Sequence, residues 1–318
     1  MVVNLPLYIK EQIKLKKLFI PFLLLFVLIL SACGNDEKSN TKNSSENEKE
    51  TFTYQSENGP VEVPKNPKRI VALTNGPNVL ALKGNLVGID EWSSTNPLFK
   101  EKLKGVTVVS EDDLEKIIEL DPDLIIAGSQ MKNINKLNEI APTVVYTWGK
   151  LDYLTQQEEI GKLLNKEKEA KEWVNDFKKR AKSAGEAIRA KIGEDATVSV
   201  IENGTKEFYV FGNNYARGTE ILYQAMELNM SEKVKETALK SGIHTISTEL
   251  LPEFAGDYII LSTTPDGDNS FLKTDTWKNI PAVQNNHVFK INTKASTYSD
   301  PITLEYLLKF FEDSFLKN

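Results

Sequence analysis

Leu114-Glu115-Lys-Ile-Ile-Glu119-Leu-Asp-Pro-Asp123-Leu-Ile-Ile126 is echoed by Thr248-Glu249-Leu-Leu-Pro-Glu253-Phe-Ala-Gly-Asp257-Tyr-Ile-Ile260, at a constant offset of 134 residues. Both read Glu, three residues, Glu, three residues, Asp, one apolar residue and Ile-Ile. Each copy predicts a short helix, a turn and then a buried strand. Repetition at a single register predicts two units of similar design.

Outward from these segments, β-rich runs alternate with helical stretches. Arg69–Leu73, Leu86–Ile89, Val106–Val109, Leu124–Ala127 and Thr143–Tyr146 read as strands in the first half. Thr197–Ile201, Tyr209–Phe211, Tyr258–Leu261 and Val288–Ile291 repeat the theme in the second. Helical spacing marks Asp112–Leu120, Asn133–Ile140, Gly218–Met226 and Pro301–Phe315. This alternation predicts βα units around mostly parallel sheets. Between the two sets, residues 154–191 lack Pro and are rich in Lys, Glu, Ala and Leu, strong helix formers. Ala170, Trp173, Val174, Phe177 and Ala181 form one apolar face, and Gly193 supplies a stop. A helix from Lys166 to Lys191 reaches roughly 39 Å, enough to run from one domain to another. The expected fold is α/β: similar lobes at 51–153 and 194–318, joined by a helical region, 154–193, that contains one long helix.

The N-terminus reads as an address. Lys10, Lys14, Lys16 and Lys17 precede an apolar run from Leu18 to Leu30, interrupted only by Pro21. A membrane-spanning helix needs about 20 apolar residues, so this shorter run reads as a signal-peptide core. It ends in Leu30-Ser31-Ala32-Cys33, which resembles a lipobox, the cleavage and acylation signal of bacterial lipoproteins. The resemblance implies removal of residues 1–32 and a mature chain acylated (a palmitate or similar chain) at Cys33. Residues 34–50 contain no large apolar side chain and cannot bury a core. Segment 33–50 is therefore expected to be a flexible tether.

Composition removes several classes of function. The 318 residues are 40% hydrophobic and 26% charged with a net charge of -6, and nucleic-acid binding needs the opposite balance. A single cysteine excludes internal disulfides and multi-cysteine clusters. Two distant histidines, His244 and His287, are too few for direct capture of a transition metal. The sequence lacks a Gly-x-Ser-x-Gly elbow, His-Glu-x-x-His, a P-loop and Gly-x-Gly-x-x-Gly. It is expected to be no enzyme, with no intrinsic cofactor and no protein-ligated metal.

An aromatic set beside one arginine remains. Glu207-Phe-Tyr209-Val-Phe-Gly212-Asn-Asn-Tyr215-Ala-Arg217-Gly218 reads as a strand, a Gly/Asn turn and a helix start. Such a junction presents side chains at the carboxyl edge of a sheet, where open α/β domains bind ligands. Arg217 is one of four arginines beside 35 lysines, and its planar fork suits paired oxygens. Trp92, Trp148 and Tyr298 follow other strands, and aromatics on both halves suit a cleft with apolar, weakly polar walls.

Together these features resemble a known family. Lipobox, tether, Pro67-Lys-Arg-Ile-Val-Ala-Leu73, the Leu114–Ile126 segment, the long central helix and Phe211-Gly-Asn-Asn-Tyr-Ala-Arg-Gly218 occur in that order. Glu249 and Tyr298-Ser-Asp-Pro-Ile-Thr-Leu-Glu305 follow. The combination is similar to the iron-siderophore-binding lipoproteins of ABC importers, in particular the ferric-hydroxamate branch of Gram-positive bacteria. The resemblance implies two α/β lobes joined by one rigid helix, with a shallow ligand cleft between them. It implies that Arg217 bonds the iron-chelating oxygens while Tyr209, Tyr215, Tyr298, Trp148 and Trp92 line the site. It further implies that Glu115 and Glu249 dock on a permease dimer coupled to a cytoplasmic ATPase. A monomer held at the outer face of the membrane through Cys33 is the expected setting. A citrate-hydroxamate siderophore, a catecholate or haem stays open as the ligand, with Lys132, Lys150 and Lys294 as cations for an anionic complex. A lipid-anchored siderophore hydrolase is the alternative from another class.

Overall fold

The computed structural model describes residues 50–204, 207–265 and 267–317; Cys33, the leader and most of the tether lie outside them. The first sheet contains β3 (Ile70–Ala72), β4 (Leu86–Ile89), β5 (Thr107–Val108), β6 (Leu124–Gly128) and β7 (Thr143–Tyr146). Its spatial order is β5-β4-β3-β6-β7, with every neighbouring pair parallel. Its helices are α1 (Gly76–Ala81), α2 (Glu91–Ser94), α3 (Leu114–Glu119) and α4 (Ile134–Ile140). All residues of β6 and β7 are buried, as expected of a parallel sheet covered on both faces.

The second sheet contains β8 (Thr197–Asn203), β9 (Phe208–Phe211), β11 (Ile243–Ile246), β12 (Tyr258–Thr263) and β13 (Val288–Asn292) in the order β11-β9-β8-β12-β13. The short β10 (Asn229–Met230) adds in parallel to the start of β8. Here β9 runs antiparallel to both neighbours, a departure from the parallel expectation. Helices α7 (Glu232–Ala238), α8 (Leu251–Phe254), α9 (Asp275–Lys278), α10 (Pro281–Gln284), α11 (Thr293–Ser296) and α12 (Pro301–Lys317) complete this lobe. A hairpin of β1 (Thr51–Ser56) and β2 (Gly59–Pro64), not anticipated from the sequence, packs on the first lobe. Its Tyr54 hydroxyl lies 2.9 Å from that of Tyr146 and donates to Glu159 at 2.9 Å.

The echo has a topological meaning. Strands β6 and β12, which carry its two copies, are each fourth in their sheet, beside the central β3 or β8. Asp123 accepts from the Lys68 and Arg69 amides at 2.7 and 2.9 Å, just before β3 begins. Asp257 accepts from the Thr197 amide at 2.8 Å, where β8 begins. In both lobes the repeated Asp satisfies orphan donors at the entry of the central strand, so it is retained for backbone accounting.

The hairpin of α5 (Tyr153–Leu163) and α6 (Glu167–Ile192) feeds two cores. Ala170, Ile160 and Leu163 pack in the first-lobe core with Ile70, Ile126 and Val144. Leu154, Val174, Phe177, Ala181, Ala184 and Ile188 pack in the second-lobe core with Val200, Phe211 and Phe311. The long helix thus leaves the first lobe within about one turn and lies along the second for the rest of its length. The expected helix Gly218–Met226 is instead π-helical over Glu220–Ala225. Gly218 is left-handed at φ 80°, which delays entry, and the Met226 amide reaches back five residues to the Ile221 carbonyl at 2.7 Å. Among the described residues no helix is long and apolar enough to cross a membrane.

Two predictions follow from packing. A Cβ on Gly185 of α6 would lie 2.1 Å from the Met226 carbonyl oxygen and 2.6 Å from its Cα. Glycine to alanine in an open helix gains about 1 kcal/mol, but Gly185→Ala should lose about 1–3 kcal/mol through overpacking, read as a lower Tm by circular dichroism. Asp300 caps α12 by accepting from the Ile302 amide at 2.9 Å and the Thr303 hydroxyl at 2.6 Å, yet full burial pushes its pKa up to about 6. Its folded value lies above the ordinary one, so its contribution is complete below about pH 4 and is lost as pH rises through 6. Asp300→Asn keeps a capping oxygen without the charge. It should match the native protein at pH 4 and exceed it by up to about 3 kcal/mol at pH 7.5 in denaturant titrations.

Candidate functional site

Three consecutive residues of the turn after β9 are left-handed: Ala216 (φ 58°), Arg217 (φ 55°) and Gly218 (φ 80°). For the two non-glycine residues this conformation costs roughly 1–2 kcal/mol each. Dedicated bonds hold it. The Tyr215 amide donates to Thr219 Oγ1 at 3.0 Å, the Ala216 amide to Glu220 Oε1 at 3.0 Å and the Arg217 amide to the Ser296 carbonyl at 2.7 Å. Glu220 is fully buried beneath the turn, and that burial raises its carboxyl above the usual range. Gly218 also allows close packing, since a Cβ there would lie 2.5 Å from Phe311 Cζ.

The turn aims Arg217 at Glu202, near the carboxyl end of β8. Arg217 Nε donates to Glu202 Oε2 at 2.8 Å and Nη2 to Oε1 at 3.0 Å. Ser262 of β12 also donates to Glu202 Oε2 at 2.8 Å and lies 2.8 Å from the Thr293 hydroxyl. Both charged side chains are largely buried, at 15% exposure for Arg217 and 11% for Glu202. The guanidinium carbon lies 4.9 Å from the Phe211 ring centroid. The sequence reading placed Arg217 at the carboxyl edge of the sheet, and its side chain does reach the carboxyl end of β8, although β9 itself runs antiparallel to β8; it arrives already paired.

Aromatic rings extend from this pair across the lobe junction. Tyr215 stacks on Phe211, with centroids 5.7 Å apart and planes at 22°. Trp148, which follows β7 of the other lobe, meets Tyr215 edge-on at 5.7 Å and 82°. Trp148 is nonetheless 77% exposed, so it forms a rim with one free face. A second crossing joins Tyr298 to the first lobe: Ser93 of α2 donates to its hydroxyl at 3.3 Å, and its ring lies 6.0 Å from that of Phe99. Trp92, one residue before Ser93, is equally exposed and has no ring partner among the described residues. Tyr209 pairs across the sheet with Glu202, on the strand position that shares Phe211's face. Two shallow surface grooves, between α6 and α12 and between α3 and α4, contain none of these residues.

The sequence reading missed Glu202, Phe211, Ser93 and Phe99 as contributors. Glu202 had a signal: it is an acidic residue extending the apolar run that forms β8. The remaining candidates lie apart. Glu115, in the first turn of α3, and Glu249, in the single 3₁₀ turn before α8, are both exposed. A hydrogen bond from Ser247 holds the Glu249 carboxyl below its ordinary pKa. Lys150 is paired with Glu57 at 3.3 Å, while Lys132 and Lys294 are exposed. His287 stacks on Tyr258 at 4.1 Å, His244 stacks on Phe254 at 5.8 Å, and no metal-holding cluster occurs among the described residues.

Residues 71–295 match the family model described as periplasmic binding protein. The iron(3+)-hydroxamate-binding protein FhuD of Bacillus subtilis is 38% identical over 304 residues, covering 93% of this chain and 96% of its own. FhuD2 of Staphylococcus aureus, solved with bound ferrioxamine B, superimposes with a TM-score of 0.75 at 34% identity, covering 79% of this chain and 99% of that one. A Bacillus subtilis structure of the FhuD fold family, described as the binding-protein component of a ferrichrome ABC transporter, gives a TM-score of 0.77 at 37% identity and covers 83% of this chain and all of its own. Fold, lobe arrangement and sequence agree: the chain belongs to the periplasmic binding protein family and is homologous to its iron(3+)-hydroxamate-binding members.

Proposed function

We propose that this chain captures a ferric siderophore of the hydroxamate type and hands it to the permease of an ABC importer. The observation that carries this reading is the column Trp148–Tyr215–Phe211–Arg217, a guanidinium backed by stacked rings where the two lobes meet. Iron enters as cargo already chelated, so the site need only match the shape and surface oxygens of the complex. Arg217 has five N–H donors and spends two on Glu202; its Nη1 has only a long contact, 3.5 Å, to the Tyr215 carbonyl. The remaining donors are available to hydroxamate oxygens as charge-assisted bonds. Tyr209, Tyr215, Tyr298, Trp92 and Trp148 supply broad, stiff apolar walls that suit a flexible organic scaffold, whose ordering otherwise costs affinity. The homology to binding proteins supports transport and not catalysis as its role.

In this reading residues 51–153 and 194–318 act as the two jaws and 154–193 as their brace. Residues 1–32 are the cleaved signal peptide, and acylated Cys33 with its tether holds a monomer at the outer face of the cytoplasmic membrane. Glu115 and Glu249 stand on exposed turns that lead into the topologically matched β6 and β12. That matched placement suits a pair of contacts to a two-fold permease dimer.

Tryptophan-fluorescence quenching with ferrioxamine B tests the ligand. Arg217→Lys keeps the charge opposite Glu202 but loses the fork, and should weaken binding by about 1.5–3 kcal/mol. Native-like affinity in that variant would remove Arg217 from the site, and no quenching of the native protein would reject the ligand class. A Glu115→Ala/Glu249→Ala double variant should bind ferrioxamine B normally yet fail to support radiolabelled iron uptake in cells. Normal uptake by it would refute the docking role.

A further inference from the structure

Glu202 is nearly buried, forms both arms of the fork with Arg217 and takes a third bond from Ser262, at 2.8, 3.0 and 2.8 Å. Burying two ions costs several kcal/mol each, and good geometry recovers that only in part. A fork serving solely to hold Arg217 in place is an expensive solution, since neutral acceptors also orient a guanidinium. What Glu202 adds is charge. The binding face offers donors whose positive charge is cancelled within 3 Å, so a ligand meets a dipole and not a cation.

We infer that Glu202 sets the charge selectivity of the site, restricting it to ferric complexes with an uncharged metal core. This rests on the ligand reading above and sharpens it. Three monoanionic hydroxamates cancel Fe³⁺, so a trihydroxamate core is neutral and gains hydrogen bonds without bringing charge into a dry site. A triscatecholate core keeps about three negative charges, which must be stripped of water on binding. Beside a balanced ion pair that desolvation has no net attraction to offset it. The lysines that the sequence singled out do not change the balance: Lys150 is paired with Glu57, and Lys132 and Lys294 are exposed.

The test is a selectivity ratio, which a merely structural role leaves unmoved. Ferrioxamine B and the ferric triscatecholate of enterobactin are titrated by fluorescence quenching against native protein, Glu202→Gln, Glu202→Asp and the double variant Glu202→Gln/Arg217→Gln. The ratio of the two affinities should move toward the catecholate by tenfold or more in Glu202→Gln, which leaves the guanidinium unbalanced. It should stay near the native ratio in Glu202→Asp, even where both affinities fall, because the charge is kept. The double variant restores neutrality and should restore the preference; it also covers the case in which an unpaired buried arginine prevents Glu202→Gln from folding. An unchanged ratio in Glu202→Gln, or a catecholate preference in the double variant, overturns the inference while leaving hydroxamate binding by the native protein intact. Native protein that binds neither complex overturns the ligand reading and this inference together.

Discussion

One helical hairpin is shared by two hydrophobic cores, and the arrangement of the molecule depends on it. α5 and α6 contribute Ile160, Leu163 and Ala170 to one core and Leu154, Val174, Phe177 and Ile188 to the other. At about 25 cal/mol per Å² of apolar surface, withdrawing either set would cost several kcal/mol. The C-terminal α12 adds a second brace, packing on α6 and also on α1 of the opposite lobe. Trp173 and Arg180 of α6 both donate to Glu305 of α12, fastening the braces together. Separation of the lobes by a wide hinge is therefore opposed, and adjustment on binding falls to side chains and loops at the junction.

The junction is where local rules are broken. A run of left-handed residues and a π-helical turn occupy residues 216–225, and three buried carboxylates, Glu202, Glu220 and Asp300, belong to the same lobe. Each departure has a partner. Glu220 holds the backbone of the strained turn, Asp300 caps the helix that packs beneath it, and Glu202 meets the guanidinium that the turn projects. Strain of this kind persists only when its surroundings over-determine it. Here it aims one side chain against the direction in which its own strand was travelling.

The limits of sequence reading follow from these same residues. Period, run length and helix composition located every strand of the first sheet and the long helix to within about two residues, because those signals are local. The echo predicts matching roles for β6 and β12, which the sheet order bears out. Its Asp123 and Asp257 turned out to serve backbone amides of neighbouring strands, a purpose that no local pattern reveals. The β1–β2 hairpin was missed because its strands are short and mostly exposed or half-exposed, each burying a single side chain, Tyr54 or Val63. The direction of β9 was missed because strand polarity leaves no trace in composition. Arg217 and Tyr215 share one motif and the family resemblance assigned Trp148 to the same site, but the contact of Trp148 with Tyr215 was not legible in the sequence.

By itself the amino-acid order determined the alternation of elements, the shared design of two halves, the rod between them and the lack of the hydrolase, zincin, P-loop and dinucleotide motifs. These are properties of neighbours along the chain, enforced by periodicity and by the short reach of turns and caps. The tertiary structure alone decided that Trp148 closes on Tyr215, that Tyr298 reaches Ser93, and that Arg217 is balanced by Glu202. Those contacts join residues on separate elements, two of them on opposite lobes. They exist because burying apolar surface brought two sheets to a common rod, and a buried charge then had to find its partner wherever the fold had placed one.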